Sequence, residues 1–462
     1  MTRAVEADYL VVGAGAMGMA FADAVIDHSD ARVVMVDRRH GVGGHWLEAY
    51  PFVRLHQSSA FYGVASTLLG GGTLQSSGPE AGLQERATQP EITAYYARVL
   101  DRMVQTGRLE FFPNSDHVGE RTIVSRISRD RFRVPESCRI VDARYLAPGI
   151  PAEQPPPFDV GDGARVLPVN DVVRLDEAPS EYVVVGSGKT ATDTCIWLLA
   201  RGVDPDSICW VRPRDPWMLN RARVQPDPAI FLGLAADIMQ AAASSSTVED
   251  LFLRMEDADV MMRIDPSVVP TMAKAPTLAG WELEQLRTIE NVVRRGHIRR
   301  VDRGRLRFAD GSVRVADDAL VVHCAADGLK QPPLVPVWRP DVITLQPIRA
   351  GFPSFGAAVT GYVEATRTDD DDEKNRLCPP SNYGNSRADW ARMFFRGTQA
   401  TMSYSAEPDI KAWADGVALN PSRVPAGYPA SPALDDARER LATHTTAGMA
   451  RLAELGAPTD MQ

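Results

Sequence analysis

Two glycine-rich turns, each set between a short apolar run and a helix-forming stretch, constrain this chain more than any other feature. The first follows the run Tyr9–Val12 and reads Gly13-Ala14-Gly15-Ala16-Met17-Gly18; a helical stretch comes next, then a second apolar run closing on Asp37. Each residue type has a job in such a unit. Gly13 is expected to make the tight turn, Gly15 to bring the backbone close to a pyrophosphate, and Gly18 to let helix pack on strand. The first-turn N–H groups, Ala14, Ala16 and Met17 among the residues that carry them, then face the diphosphate. The Asp37 carboxylate can accept hydrogen bonds from a ribose diol. Three glycines at this spacing also occur in turns that hold nothing. Strand, helix and terminal acid in register are what point to a dinucleotide.

The second unit repeats the plan with one informative change. Tyr182–Val185 leads into Gly186-Ser187-Gly188-Lys189-Thr190-Ala191, a helix through Cys195–Leu199, and the run SICWV. Here the position after the strand is Arg212, with Arg214 two residues on. A guanidinium suits the 2′-phosphate of NADPH through charge-assisted, often bidentate bonds. Arg212 also reads as a solvated strand-end charge, and Lys189 as either a surface lysine or a phosphate contact. The substring GKT does not make a P-loop, because Val183 stands where that motif requires glycine.

The remaining sequence fits an ordinary globular protein of two or three domains, with 462 residues, 44% hydrophobic and 24% charged. A net charge of −10 disfavours nucleic acid as a partner. No signal peptide or membrane-spanning run is expected. Five cysteines without a CxxC pair suggest neither zinc nor a disulfide framework, and suit a reducing cytoplasm. The stretch from Gln89 predicts a helix with Ile92, Tyr95, Tyr96, Val99 and Met103 on its buried face. Pro148–Phe158 reads as a linker. Residues 228–296 read as helical, with Ser246 and Glu249 as a capping box and Val248, Leu251, Phe252, Met255 and Met262 on one face. Short strands over 297–327 end in ALVVHC, expected to return the chain to its first domain. Asp369–Glu373 reads as a solvated loop.

With both units placed, the chain resembles the flavin-containing and Baeyer–Villiger monooxygenases, with the N-hydroxylating monooxygenases as relatives. Gly43-Gly44-His45-Trp46 is similar to the GGxW segment of that group, which borders the flavin, and Val211–Trp217 to its arginine-rich grip on NADPH. The chain departs from the group's FxGxxxH, keeping Phe158 and Gly161 without the histidine, and has Ala325-Ala326-Asp327-Gly328 in place of the late ATG. The resemblance implies an α/β fold of two Rossmann-like domains. FAD would occupy 1–160 and 319–462, held by Gly13–Gly18, Asp37, Arg38 and Gly43–Trp46. NADPH would occupy an inserted 161–318, held by Gly186–Thr190, Arg212 and Arg214, with a helical insertion at about 228–296. It also implies the chemistry: NADPH reduces FAD, reduced flavin captures dioxygen, and a flavin hydroperoxide gives one oxygen atom to a small soluble substrate. His56 and Gln57 are placed to face the ring or the peroxide, with His56 equally readable as a structural histidine; Asn220 and Arg221 are weaker candidates. A non-oxygenating flavin reductase or dehydrogenase, and a flavin-binding redox sensor, stay open beside this reading.

Overall fold

The computed structural model describes residues 2–325 and 329–457, so of the ATG-like stretch Ala326, Asp327 and Gly328 lie outside the described residues. Two parallel sheets organise the fold. The first runs Trp338–Arg339, Val342–Thr344, Arg139–Asp142, Tyr9–Val12, Val33–Val36, Leu109–Phe112, parallel throughout except for the antiparallel pairing at Trp338–Arg339. Its central strands are nearly continuous runs of buried aliphatic residues, as strands covered on both faces must be. Helix Ala16–His28 covers one face together with helix Pro353–Thr366. The two approach so closely at Gly361 that a Cβ there would sit 2.7 Å from the Phe21 carbonyl oxygen. Helix Gln89–Gln105 buries Ile92, Tyr95, Tyr96, Val99 and Met103, the face its periodicity predicts, and the Glu91 carboxylate accepts from the Thr88 N–H at 2.7 Å at its start.

The second sheet runs Arg165–Pro168, Leu320–His323, Tyr182–Val185, Ile208–Val211, Val292–Val293, all parallel. This corrects the expectation for ALVVHC. Leu320–His323 lies between Arg165–Pro168 and Tyr182–Val185, so it completes the second sheet instead of returning to the first. An isolated apolar run carries no mark of which sheet it joins. The chain re-enters the first sheet only at Trp338–Arg339 and Val342–Thr344.

Residues 228–296 are also less helical than their alanine and methionine content suggests. Helices Pro228–Ala243, Val248–Asp257 and Gly280–Arg287 are interrupted by strands Met261–Arg263 and Met272–Leu278, which flank Pro216–Asn220 in a three-stranded sheet. Met262 therefore lies on a strand, apart from the helical face of Val248, Leu251, Phe252 and Met255. The capping pair shifts by one residue from Ser246 and Glu249: Thr247 caps the helix by accepting from the Asp250 N–H at 3.0 Å, and Asp250 accepts from the Ser246 N–H at 2.8 Å. The acidic run is likewise not a loop. Asp370 caps helix Asp371–Leu377, whose first turn collects Asp371, Asp372 and Glu373 at the positive end of the helix dipole. The C-terminal helix Pro432–Leu455 packs on Pro228–Ala243, with Gly448 against the Met239 carbonyl. No helix among the described residues is long and apolar enough to cross a membrane.

Candidate functional site

The first glycine turn adopts the geometry its sequence requires. Gly13 has φ +108°, and a Cβ on Gly18 would overlap the Gly13 carbonyl oxygen, so helix and strand meet at the closest approach glycine allows. Gly15 caps helix Ala16–His28 without a side-chain acceptor, and no acid occupies the first turn. Those N–H groups are left for an external anion. The GGHW turn closes over them: Gly43 and Gly44 have φ +110° and +61°, the Gly43 N–H donates to the Ala14 carbonyl at 2.8 Å, and a Cβ on Gly44 would sit 3.0 Å from Gly15 Cα. Two glycine segments thus meet backbone to backbone, leaving a cradle that side chains would fill. Ala14 and Met17 are buried, and Ala16 packs half-buried against the same core.

Asp37 is buried, and its carboxylate accepts from the Ala14 N–H at 2.7 Å and the Arg39 N–H at 2.8 Å. It ties the glycine turn to the strand end and keeps lone pairs for a ribose diol. Arg38 is half exposed and pairs with Glu153 at 3.0 Å. The Trp46 indole donates to the Tyr62 hydroxyl at 2.6 Å. Burial, helped by nearby Arg39, pushes the His45 imidazole down to about 4.

The second turn is built alike. Gly186 has φ +130°, Gly188 caps helix Lys189–Ala200 without a side-chain acceptor, and no acid lies in its first turn. Ser187 is buried, and Ala191 fits the third position because its Cβ is a comfortable 3.6 Å from where a Gly186 Cβ would lie. The basic residues differ from expectation. Arg212 is only 2% exposed. Its guanidinium stacks 4.7 Å from the Trp210 ring and pairs with Asp215 at 3.2 Å, so it is buried and is not a solvated strand-end charge. Lys189 turns inward to Asp193, with Glu282 at 3.9 Å. Arg214 is exposed. The residue that sequence reasoning missed is Lys274, whose Nζ lies 4.0 Å from a Cβ on Gly188, beside the uncapped helix start. Burial and the nearby Arg214 charge lower its pKa. Lys274 reaches this point from strand Met272–Leu278, far along the chain, where no local motif announces it.

A buried charged network lies beside the second turn. The Tyr50 hydroxyl donates to Asp193 at 2.8 Å. Arg221, 1% exposed, pairs with Glu80 at 2.5 Å and Glu282 at 2.7 Å, and Arg86 adds a second cation to Glu80 at 2.7 Å. These guanidinium charges outweigh burial and draw Glu80 down to about 2. Asn220 caps the turn that carries Arg221. His56 sits against this network. Its carbonyl accepts from Arg221 Nε at 2.9 Å, its Nδ1 has no partner among the described residues, and burial plus the charges of Lys189, Arg221 and Arg86 push the imidazole down to about 3. Gln57 lines a cavity of about 50 Å³ walled by Phe231, Leu234, Phe352 and Trp390, with Arg349 as its one charged residue among the described residues. Arg349 lies between the last strand of the first sheet and helix Pro353–Thr366, in a stretch with no sequence signature.

Comparison with known proteins places the chain. Residues 11–60, which span the first glycine turn and GGHW, match the family described as NAD(P)-binding Rossmann-like domain. Over 422 residues the sequence is 41% identical to the uncharacterized protein Rv2000 of Mycobacterium tuberculosis and, equally, to the uncharacterized protein Mb2023 of Mycobacterium bovis, covering 90% of this chain and 78% of each relative. The chain belongs to their family. Among solved structures, polycyclic ketone monooxygenase from Thermothelomyces thermophila matches 97% of this chain and 90% of its own, with a TM-score of 0.53 and 14% identity. At that identity the likeness is one of fold. The resemblance to the Baeyer–Villiger and flavin-containing monooxygenases read from the motifs stands at that level, with an α/β architecture built on Rossmann-like units.

Proposed function

We propose that this chain is an FAD- and NADPH-dependent monooxygenase acting on a small molecule. One observation carries the reading: the chain builds two glycine cradles, each with an uncapped helix start and no first-turn acid. A chain that binds two dinucleotides is suited to turnover. The fold shared with polycyclic ketone monooxygenase supports the same class of reaction.

The residues fit both cofactors. FAD would lie along Gly13–Gly18 with its ribose at Asp37 and its flavin end toward Gly44, Trp46 and Gln57; NADPH would lie along Gly186–Thr190 with Arg214 and Lys274 about its phosphates. When bound, the flavin supplies hydride acceptance and the activation of dioxygen. The chain orients and shields. Trp46, held by Tyr62, keeps the GGHW turn in one position over the first cradle. The Glu80–Arg221–Glu282 network fixes the main chain at His56, next to Gln57 on the cavity wall. The apolar walls of that cavity exclude water from the reacting centre. His56, its pKa far below neutrality, stays uncharged at physiological pH beside the cations.

The test is anaerobic reduction of the purified holoprotein with NADPH, followed by mixing with oxygen. Monooxygenation gives a transient absorbance distinct from both oxidised and reduced flavin, then product. Direct return to oxidised flavin would assign the chain to the reductases or dehydrogenases, and no bound flavin would remove the reading altogether.

A further inference from the structure

Four arginines are buried in the described chain: Arg86, Arg212, Arg221 and Arg349. Three have a carboxylate in contact, Arg86 and Arg221 through Glu80 and Arg212 through Asp215. Arg349 has none among the described residues. Its single hydrogen bond runs from Nη2 to the Ser422 hydroxyl at 3.2 Å, and its Nε has no partner. Its guanidinium carbon lies 5.7 and 5.8 Å from the ring centroids of Phe231 and Phe352, which hold the group in place without neutralising it. A guanidinium stays charged inside a protein, and an unpaired buried charge costs several kcal/mol. The same cavity has a second unspent donor on a residue of its wall. Trp390 lines it, and the Trp390 Nε1–H is buried without an acceptor. The Gln57 amide is a third polar group on the wall. The cavity therefore offers donors and a positive charge within apolar walls, and no anion among the described residues.

We propose that this cavity is the substrate pocket and that it takes a carboxylate on a short apolar group, the carboxylate seated on Arg349 with Trp390 Nε1 donating beside it. The proposal rests on the oxidoreductase reading above only in naming the ligand a substrate. The arrangement is built for an oxyanion: a planar guanidinium matches a carboxylate in two-point geometry, and the surrounding rings accept hydrocarbon. Selectivity follows from the same groups. A neutral isostere leaves the guanidinium unpaired, so the site rejects it more strongly than a loss of one contact would suggest.

The experiment uses the holoprotein and two probes of equal shape that match the cavity, acetate and acetamide, with binding read by calorimetry. The carboxylate is expected to bind roughly tenfold to a hundredfold more tightly than the amide. Arg349→Met should abolish that preference and Arg349→Lys should keep part of it. Trp390→Phe, which preserves the ring and removes only the donor, should weaken the carboxylate several-fold with little change for the amide. Equal affinity of wild type for acid and amide would overturn the proposal. It would also fall if Arg349→Met expelled the flavin while Trp390→Phe discriminated as well as wild type, for then the guanidinium serves the cofactor. Carboxylate preference in protein that carries no flavin would leave the pocket standing and remove the oxidoreductase reading; reduction by NADPH without carboxylate preference would do the reverse.

Discussion

Three cations near the second glycine turn should fail in three different ways when replaced. Arg214 is exposed beyond the strand end, where a 2′-phosphate is read, so Arg214→Ala should weaken NADPH and spare NADH. A hydrogen bond to a charged group is worth about 1.5–3 kcal/mol when sheltered, and exposed pairs are worth less. A loss of about 1–2 kcal/mol is therefore expected, roughly fivefold to thirtyfold in NADPH affinity. Lys274 lies beside Gly188 at the helix start, where the diphosphate common to both coenzymes would sit. Lys274→Ala should weaken NADPH and NADH alike, by roughly tenfold to a hundredfold, because the ammonium is half-buried and less screened. Arg212 is held between Trp210 and Asp215, so Arg212→Ala should lower the melting temperature and leave the NADPH-to-NADH ratio unchanged. The assay is anaerobic flavin reduction by each coenzyme across a concentration series, with thermal unfolding of each variant. A changed coenzyme ratio in Arg212→Ala, with an unchanged one in Arg214→Ala, would refute the assignment and restore the strand-end residue as the phosphate contact.

Gly18→Ala should yield protein without flavin or insoluble protein, since the added Cβ overlaps the Gly13 carbonyl; flavin absorbance per protein measures it. Arg221→Met should cost about 3–5 kcal/mol, because Glu80 and Glu282 are left buried with less compensation; chemical denaturation reads the loss. Acid should destabilise the fold in two stages. The unfolded chain protonates His56 near 6.5 while the native state resists until about 3, so stability falls as the pH drops below 6.5. Glu80, at about 2 folded against 4.5 unfolded, contributes stability that is present above 4.5 and lost as the pH falls toward 2. His56→Gln should flatten the first stage in unfolding curves recorded from pH 7 to 4, and an unchanged slope would contradict the buried neutral state. The rate of flavin reduction should show no ionisation belonging to His56 between pH 5 and 8; a pKa in that range that disappears in His56→Gln would contradict it.

What the sequence determined by itself was local. A glycine at position 13, 15 or 18 states its purpose wherever it stands, because a positive φ or a missing Cβ is a property of a few consecutive residues, and the structure uses Gly13, Gly18, Gly43 and Gly44 in that way. The helix from Gln89 was equally legible, since its five buried positions follow from helical periodicity alone. Tertiary structure decided whatever depended on partners distant in the chain. Arg212 and Arg214 are two residues apart and chemically alike. Only the packing of Trp210 and the reach of Asp215 put one in the core and left the other at the surface. Leu320–His323 joined the second sheet because its pairing with Tyr182–Val185 and Arg165–Pro168 fixed its place, a choice invisible in three apolar residues and a histidine. Lys274 and Arg349 came to their sites the same way, each carried by an element whose own sequence says nothing of where it docks. A charge acquires a function from the field of its neighbours, and those neighbours are assembled only when the chain folds.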